Sequence, residues 1–426
     1  MRVLLFSHTT GYQLRAFNDA AEALGIELVF ATDRCHRLDD PWQDRAIAVR
    51  FFDVESSVAA IVRHVEGVQV AGLLAVGDRP VVLAARAAEA LGLTWHSVAG
   101  ARNSTDKRRA RQALGAAGLP SPPFAVVGVS DDAASSLRPP FPAVLKPLGL
   151  SGSRGVIRAD DAQAFDAAFA RIRALLARPQ VRAARTGVDD EILVEAYVDG
   201  REYALEGVLT AGTLQVFAIF DKPDPLEGPF FEETIYVTPS RAPEAIQQRI
   251  AASAARAARA LGLWHGPIHA ECRVTSAGDV YVLEAAARPI GGLCSRVLTF
   301  TDGGARPGDG DGNLSLETVL LLHAIGRPID RVSREARAAA VMMVPIPQRG
   351  IFKGVSGEDR ARAVAGVTEI RITAKDGQLL EPLPEAGSYL GFIFARGDTP
   401  AAAEASVRAA HAELAFEVRP DLMVQR

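Results

Sequence analysis

Cysteine is scarce in this 426-residue chain: Cys35, Cys272 and Cys294 are scattered, with no metal-ligand spacing between them. That count excludes a disulfide-stapled scaffold and fits a reducing compartment, each thiol reading as a small buried hydrophobe. No apolar run reaches the roughly 18 residues that a membrane span needs. The opening MRVLLFSH is too short an apolar run for a secretory signal, so a cytoplasmic location is expected. Long Lys/Arg runs are missing too. With 47 basic against 51 acidic residues, a net charge of -4 and a pI near 6.1, a general nucleic-acid binder is disfavoured. No fixed-period repeat is visible. The turn after the first apolar run, Ser7-His8-Thr9-Thr10-Gly11, lacks G-x-G-x-x-G, which argues against a dinucleotide there.

What is present is an ordinary globular composition, 48% hydrophobic and 23% charged, long enough for about three domains. Arg2 to Ser7 is an apolar run, Ala16 to Leu24 has helical spacing and stops at Gly25, and Ile26 to Ala31 is a second run. Val70 to Val76 and a helix from about Pro80 to Leu91, closed by Gly92, repeat the unit. This alternation predicts a small parallel α/β domain. Ser104 or Thr105 is expected to cap a helix ending near Ala117, and Pro120, Pro122 and Pro123 mark a linker. From Glu191 onward short strands alternate with turns, and YALEGVLT-AG-TLQVFAIF reads as a hairpin about Ala211-Gly212. An Ala-rich helix is expected over about 242–261, then strands over 267–274 and 279–284. Grouping of this kind points to an α+β domain rather than a second parallel sheet. The Gly/Asp-rich segment 302–313 is expected to form a mobile flap, and a further α+β stretch follows from about Asp330.

Four motifs carry chemistry. Lys146 ends an apolar strand, and the loop Gly149-Leu-Ser151-Gly152-Ser153-Arg154-Gly155 follows. Small residues let backbone N–H groups approach phosphate oxygens, and the lysine adds a point charge. The lysine precedes the glycines and a strand follows, so this is not a Walker A loop. A plain hairpin loop with a surface lysine has the same composition. Glu195-Ala-Tyr197-Val198-Asp-Gly-Arg-Glu202 lies between two strands, where a carboxylate can accept from ribose hydroxyls while backbone groups read an adenine edge. Acidic inter-strand loops without such a role are also common.

Glu271 and Glu284 form the third motif. A two-residue turn at Ala277-Gly278 sets them directly opposite each other. Opposed carboxylates with Cβ atoms roughly 5 Å apart repel. Glu284 also ends the apolar run Val280-Tyr281-Val282-Leu283, where an unpaired charge is costly. Magnesium, which takes carboxylate and phosphate oxygens together, removes the conflict; two solvated carboxylates on an open sheet face are the alternative. Fourth, Arg288 leads into Gly291-Gly292, a combination suited to gripping a carboxylate or phosphoryl group. A structural Gly-Gly turn beside a surface arginine looks similar.

Taken in order, Lys107, Lys146 with its loop, Glu195 with Glu202, Glu271, Glu284 and Arg288 resemble the ATP-grasp superfamily. Within it the chain looks most like the L-amino acid ligases, or dipeptide synthases, and their biotin-carboxylase-like relatives. The resemblance covers most of the chain and implies a multidomain α/β and α+β fold. A Rossmann-like pre-ATP-grasp domain takes 1–100, an ATP-grasp domain 101–325 with a lid subdomain at about 120–190, and a C-terminal α+β subdomain 326–426. It implies an ATP-dependent carboxylate–amine ligase using ATP and two Mg2+ ions on small amino-acid-like substrates, and it allows a homodimer. By resemblance, Lys107 and Lys146 contact the nucleotide, and Ser151, Gly152, Ser153 and Gly155 cover its phosphates. Glu195, Tyr197 and Val198 read adenine, Glu202 takes the ribose, and Glu271 and Glu284 hold the metal. Arg288, Gly291 and Gly292 grip the reacting group, and Glu233, or Glu232 as alternate, pairs with a substrate ammonium; the catalytic roles fall to Arg288, Lys146 and Glu233. Many superfamily members carry Asn two residues past the second metal glutamate; Ala286 stands there, which favours the amino-acid ligase branch. A bicarbonate- or formate-using ligase shares every motif and is the alternative, although no A-M-K-M biotinylation segment is present.

Overall fold

The computed structural model describes residues 1–8, 13–33, 46–131, 140–184, 187–188, 190–303 and 313–421. Cys35, the Thr9-Thr10-Gly11 turn and residues 304–312 of the expected flap lie outside them.

The first unit is a parallel sheet ordered Ile47–Ala48, Glu27–Thr32, Arg2–Ser7, Val70–Val76. Helices Leu14–Leu24 and Val81–Leu91 end on Gly25 and Gly92, both left-handed, as the glycine stops imply. The helix Val54–His64, capped by Asp53, is an element that the sequence reading leaves unmarked. The next boundary differs from expectation. Asp106, not Ser104 or Thr105, caps the helix Lys107–Ala116, its carboxylate accepting from Arg109 N at 3.1 Å. Ser104 and Thr105 instead close the helix Val98–Thr105, donating back to Ala101 O. Two helices meet here where one was read, and the aspartate between them is the stronger cap.

A four-stranded antiparallel sheet follows, ordered Phe124–Gly128, Glu191–Ala196, Ala143–Pro147, Ile157–Ala159. The helix Ala162–Leu176 covers it and closes a separate core around Phe165, Phe169 and Ile172. Beside it runs an eight-stranded antiparallel sheet. Its order is Val280–Ala286, Gly266–Val274, Arg201–Thr210, Thr213–Asp221, Ile235–Thr238, Ala338–Val344, Gly391–Gly397, Val367–Ile372. The last three strands come from beyond residue 326, so the sheet runs unbroken across the expected 325/326 boundary. Thr210 pairs with Thr213, leaving Ala211 and Gly212 as a two-residue loop with φ of 50° and 83°, the conformation such hairpins demand.

Glu271 and Glu284 are direct cross-strand partners, but not by way of a two-residue turn. Thr275 N donates to Asp279 O and Gly278 N to Thr275 O, closing a longer turn. Cys272 therefore pairs with Val282, one residue off the simple register. A β-bulge between Glu271 and Cys272 then restores the expected pairing at the glutamates.

Candidate active site

One cavity opens between the four-stranded sheet and the eight-stranded sheet. It is lined by Lys107, Lys146, Ser151, Gly152, Ser153, Glu195, Tyr197, Val198, Glu202, Glu233, Glu271, Glu284, Arg288, Gly291 and Gly292. Of the residues singled out from the sequence, Gly155 and Glu232 are outside this lining. Gly155 N–H donates to Pro384 O at 2.8 Å, and a Cβ there would stand 2.5 Å from Pro147 Cγ. Its glycine is required by packing against the neighbouring strand. Glu232 is half-buried, and burial raises its carboxyl above the ordinary value.

Lys107 and Arg111 stand one turn apart on the helix Lys107–Ala116, so both face the cavity. That i,i+4 spacing is the signal by which Arg111 was findable. Glu195 is on the strand Glu191–Ala196 rather than on the connector, and it is 2% exposed. Arg111 Nε donates to its Oε2 at 2.8 Å and Nη2 to Oε1 at 3.3 Å, while Lys146 donates to Oε1. Burial alone would raise this carboxyl; the two cations outweigh it and hold it at about 2. Glu195 thus positions two cations instead of offering a free acceptor. Burial, with Lys146 and Arg111 nearby, pulls the Lys107 ammonium down, against Glu284 and Asp78. Tyr197 N–H is used by Pro142 O at 2.9 Å, and Val198 O accepts from Arg273 at 2.8 Å. The Tyr197 ring has Arg158 at 4.2 Å on one contact and Arg273 at 5.0 Å on another.

Two charge clusters meet at Glu271. On one side the buried Lys222 ammonium donates to Glu202 at 2.8 Å and to Glu233, and lies 3.4 Å from Glu271. Arg273 Nε also donates to Glu202, at 3.0 Å, so Glu202 is held by two cations of the protein. Oxygens of Glu202, Glu233 and Glu271 come within 4.8 Å of one another. Lys222 and Arg273, with His269 3.6 Å from Glu271, pair with all three, so this trio is an ion-pair network. Glu233 further accepts from Tyr236 OH at 2.9 Å, and burial, then Glu271, pushes its carboxyl up to about 7 against Lys222. His269 Nδ1 sits 3.1 Å from Glu206, and Nε2 3.6 Å from Glu271. Burial opposes its charged form, yet the two carboxylates hold it up to about 9.

On the other side, Arg288 pairs with Asp78 at 2.7 Å and reaches Glu284 at 3.7 Å. Burial, then Asp78 and Glu271, raises the Glu284 carboxyl against the pull of Lys107 and Arg288. Arg288 and Lys107 face Asp78 and Glu284 here, yet burial and the neighbouring carboxylates still disfavour charge on Glu284. A hard divalent cation would favour it, and an all-oxygen donor set at Glu271 and Glu284 fits magnesium. Asp78, Lys222, Arg273, Glu206 and His269 were not found from the sequence. Each is a charged or polar residue on an apolar strand or its adjoining turn, with a partner at least 11 residues away along the chain.

With this geometry in view, the class is defined by three matches to known families. Residues 139–297 match the ATP-grasp domain, 18–94 the ATP-grasp N-terminal domain, and 342–419 the L-amino acid ligase C-terminal domain 2. The chain is an ATP-grasp protein with an L-amino acid ligase C-terminal domain. It is similar to the crystal structure of L-amino acid ligase from Bacillus licheniformis, with a TM-score of 0.80 and 24% identity over 98% of each chain. It is 30% identical over 241 residues to alanine–anticapsin ligase of Bacillus subtilis, covering 52% of this chain and 50% of that protein. An uncharacterized protein of Sinorhizobium fredii is 27% identical over 330 residues, 74% of this chain and 61% of that one. The chain thus spans about half to three-fifths of the length of these curated relatives. Among the described residues, no helix is long and apolar enough to cross a membrane.

Proposed function

We propose that the chain is an ATP-dependent carboxylate–amine ligase that joins two small amino-acid-like molecules through an acyl phosphate. The observation that carries this reading is the set of groups that line one cavity. Lys107, Lys146 and the 151–153 loop suit phosphate, Arg288 with Gly291-Gly292 suits a reacting anion, and Glu233 is a further carboxylate in the same lining. A bicarbonate or formate ligase has no use for the last of these. The match to an L-amino acid ligase domain and the likeness to an alanine–anticapsin ligase support the same reading.

Glu271 and Glu284 would hold magnesium, which when bound supplies positive charge to phosphate oxygens. The chain's own residues do the following. Lys107 and Lys146 offset charge on the transferring phosphoryl group. Arg288 orients the carboxylate whose oxygen attacks the γ-phosphorus, releasing ADP. Glu233, which already accepts from Lys222 and Tyr236 OH, takes a substrate ammonium as a third donor. The amine of the second substrate then attacks the acyl carbon, and phosphate leaves. The four-stranded sheet and its loop exclude water, which would hydrolyse the acyl phosphate.

The experiment is incubation with ATP, magnesium and amino-acid pairs, with condensed product read by mass spectrometry. A dipeptide with matching ADP release is expected. ADP release that depends on bicarbonate and ignores every amino acid would overturn the reading.

A further inference from the structure

We infer that Glu206 and Gln13 are positioning residues that fix, from opposite sides, the backbone turn carrying Arg288 and Gly291-Gly292. The inference rests on the role proposed above for Arg288.

Within the turn, Cys294 N–H donates to Gly291 O at 3.3 Å and Arg288 to Pro289 O at 3.1 Å, and neither bond touches the Ile290 peptide groups. A Cβ on Gly291 would meet nothing within 4 Å, and Gly292 is left-handed at φ 62°. Two adjacent glycines leave the backbone many conformations to lose. Ile290, between Arg288 and the glycines, is where the turn is anchored. Its carbonyl accepts from Gln13 Nε2 at 2.5 Å, a contact spanning 277 residues from the first unit of the chain. Its N–H donates to Glu206 Oε2 at 3.1 Å. Gln13 is 4% and Glu206 0% exposed.

Glu206 is costly where it stands. It lies inside the strand Arg201–Thr210, its Oε1 has no hydrogen-bond partner, and burial raises its carboxyl above the ordinary value. An apolar side chain would satisfy the core better. What an apolar side chain lacks is the acceptor oxygen. Glu206 Oε2 also receives His269 Nδ1 at 3.1 Å, and His269 is its register partner on the neighbouring strand. One oxygen therefore ties the turn to the strand that bears Glu271, two residues along. Arg288, two residues from Ile290, takes its backbone position from this junction while Asp78 holds its guanidinium, and catalysis tolerates little error in such placement.

The variants are Glu206→Leu, which removes the acceptor, Glu206→Gln, which keeps an amide oxygen, and Gln13→Met, which removes the donor. Two readouts are taken: hydrogen–deuterium exchange across residues 288–293, and the KM values for ATP and for the carboxylate substrate from ADP release. Glu206→Leu and Gln13→Met should speed exchange in that segment and raise the carboxylate KM about tenfold, with the ATP KM within about twofold. Glu206→Gln should stay near the parent protein in both. The inference is overturned if exchange and carboxylate KM are unchanged in Gln13→Met. Equal rises in the ATP KM, or a Glu206→Gln variant as damaged as Glu206→Leu, would also overturn it. Should Glu206→Leu fail to fold, Gln13→Met and Glu206→Gln decide alone. A parent protein inert toward every amino acid refutes the ligase reading, while the exchange comparison still decides the positioning of the turn.

Discussion

Replacing Glu195 by glutamine separates two roles for that carboxylate. The resemblance to ATP-grasp ligases implies contact with the nucleotide; the structure has Arg111 and Lys146 filling its oxygens. The amide keeps the shape and one acceptor but removes the charge, leaving two cations facing each other, Arg111 itself 2% exposed. Breaking a buried pair by removing one partner costs about 3–5 kcal/mol. Arg111 also donates to Leu283 O at 2.9 Å, so the loss reaches the strand of Glu284. We expect a thermal midpoint several degrees lower and, by calorimetry, ATP affinity weakened at least about tenfold, or ~1.4 kcal/mol. The pair also carries a pH signature. Its folded pKa, about 2, lies below the ordinary 4.5. The stabilisation is therefore complete above 4.5 and is lost as pH falls toward 2. Glu195→Gln should flatten the midpoint over that window. A variant with weakened ATP binding but an unchanged midpoint would refute the charge-holding role and restore the nucleotide contact.

Glu284→Gln should weaken Mn2+ binding, measured by electron paramagnetic resonance with ADP present, by roughly tenfold or more, and abolish turnover; unchanged manganese affinity would remove Glu284 from the metal site. Gly155→Ala places a Cβ 2.5 Å from Pro147 Cγ at a φ of 71°, and should lower stability in urea by about 1–3 kcal/mol; an unchanged denaturation midpoint would contradict the packing account. Burial pushes the His96 imidazole from 6.5 down to about 4, against the Pro267 carbonyl, so its contribution is complete above 6.5 and falls by about 3 kcal/mol as pH drops toward 4. His96→Gln should lose less stability over that range than the parent protein, in midpoints measured from pH 7 to pH 4.

Legibility followed register. The parallel unit was readable because its apolar runs, helical spacing and glycine stops all repeat one pattern, and the two-residue loop at Ala211-Gly212 because only a few residues tolerate its φ values. The ion-pair partners were not readable, and Lys222 shows why. Counted from that loop without irregularity, Lys222 would stand opposite Arg201. A β-bulge between Val216 and Ala218 moves the pairing by one residue, so that Asp221 meets Tyr203 and Lys222 comes 2.8 Å from Glu202. The same kind of bulge has the opposite consequence at Glu271 and Glu284. There the turn at 275–279 is longer than assumed and shifts the register once, and the bulge beside Glu271 shifts it back. Glu271 and Glu284 therefore face each other across a turn longer than two residues. A bulge leaves no signature in residue type, yet one residue of slip sends a side chain to the other face of the sheet. Charge makes the slip consequential: had Lys222 kept the simple register, Glu202, Glu233 and Glu271 would lack the ammonium that now lies among them.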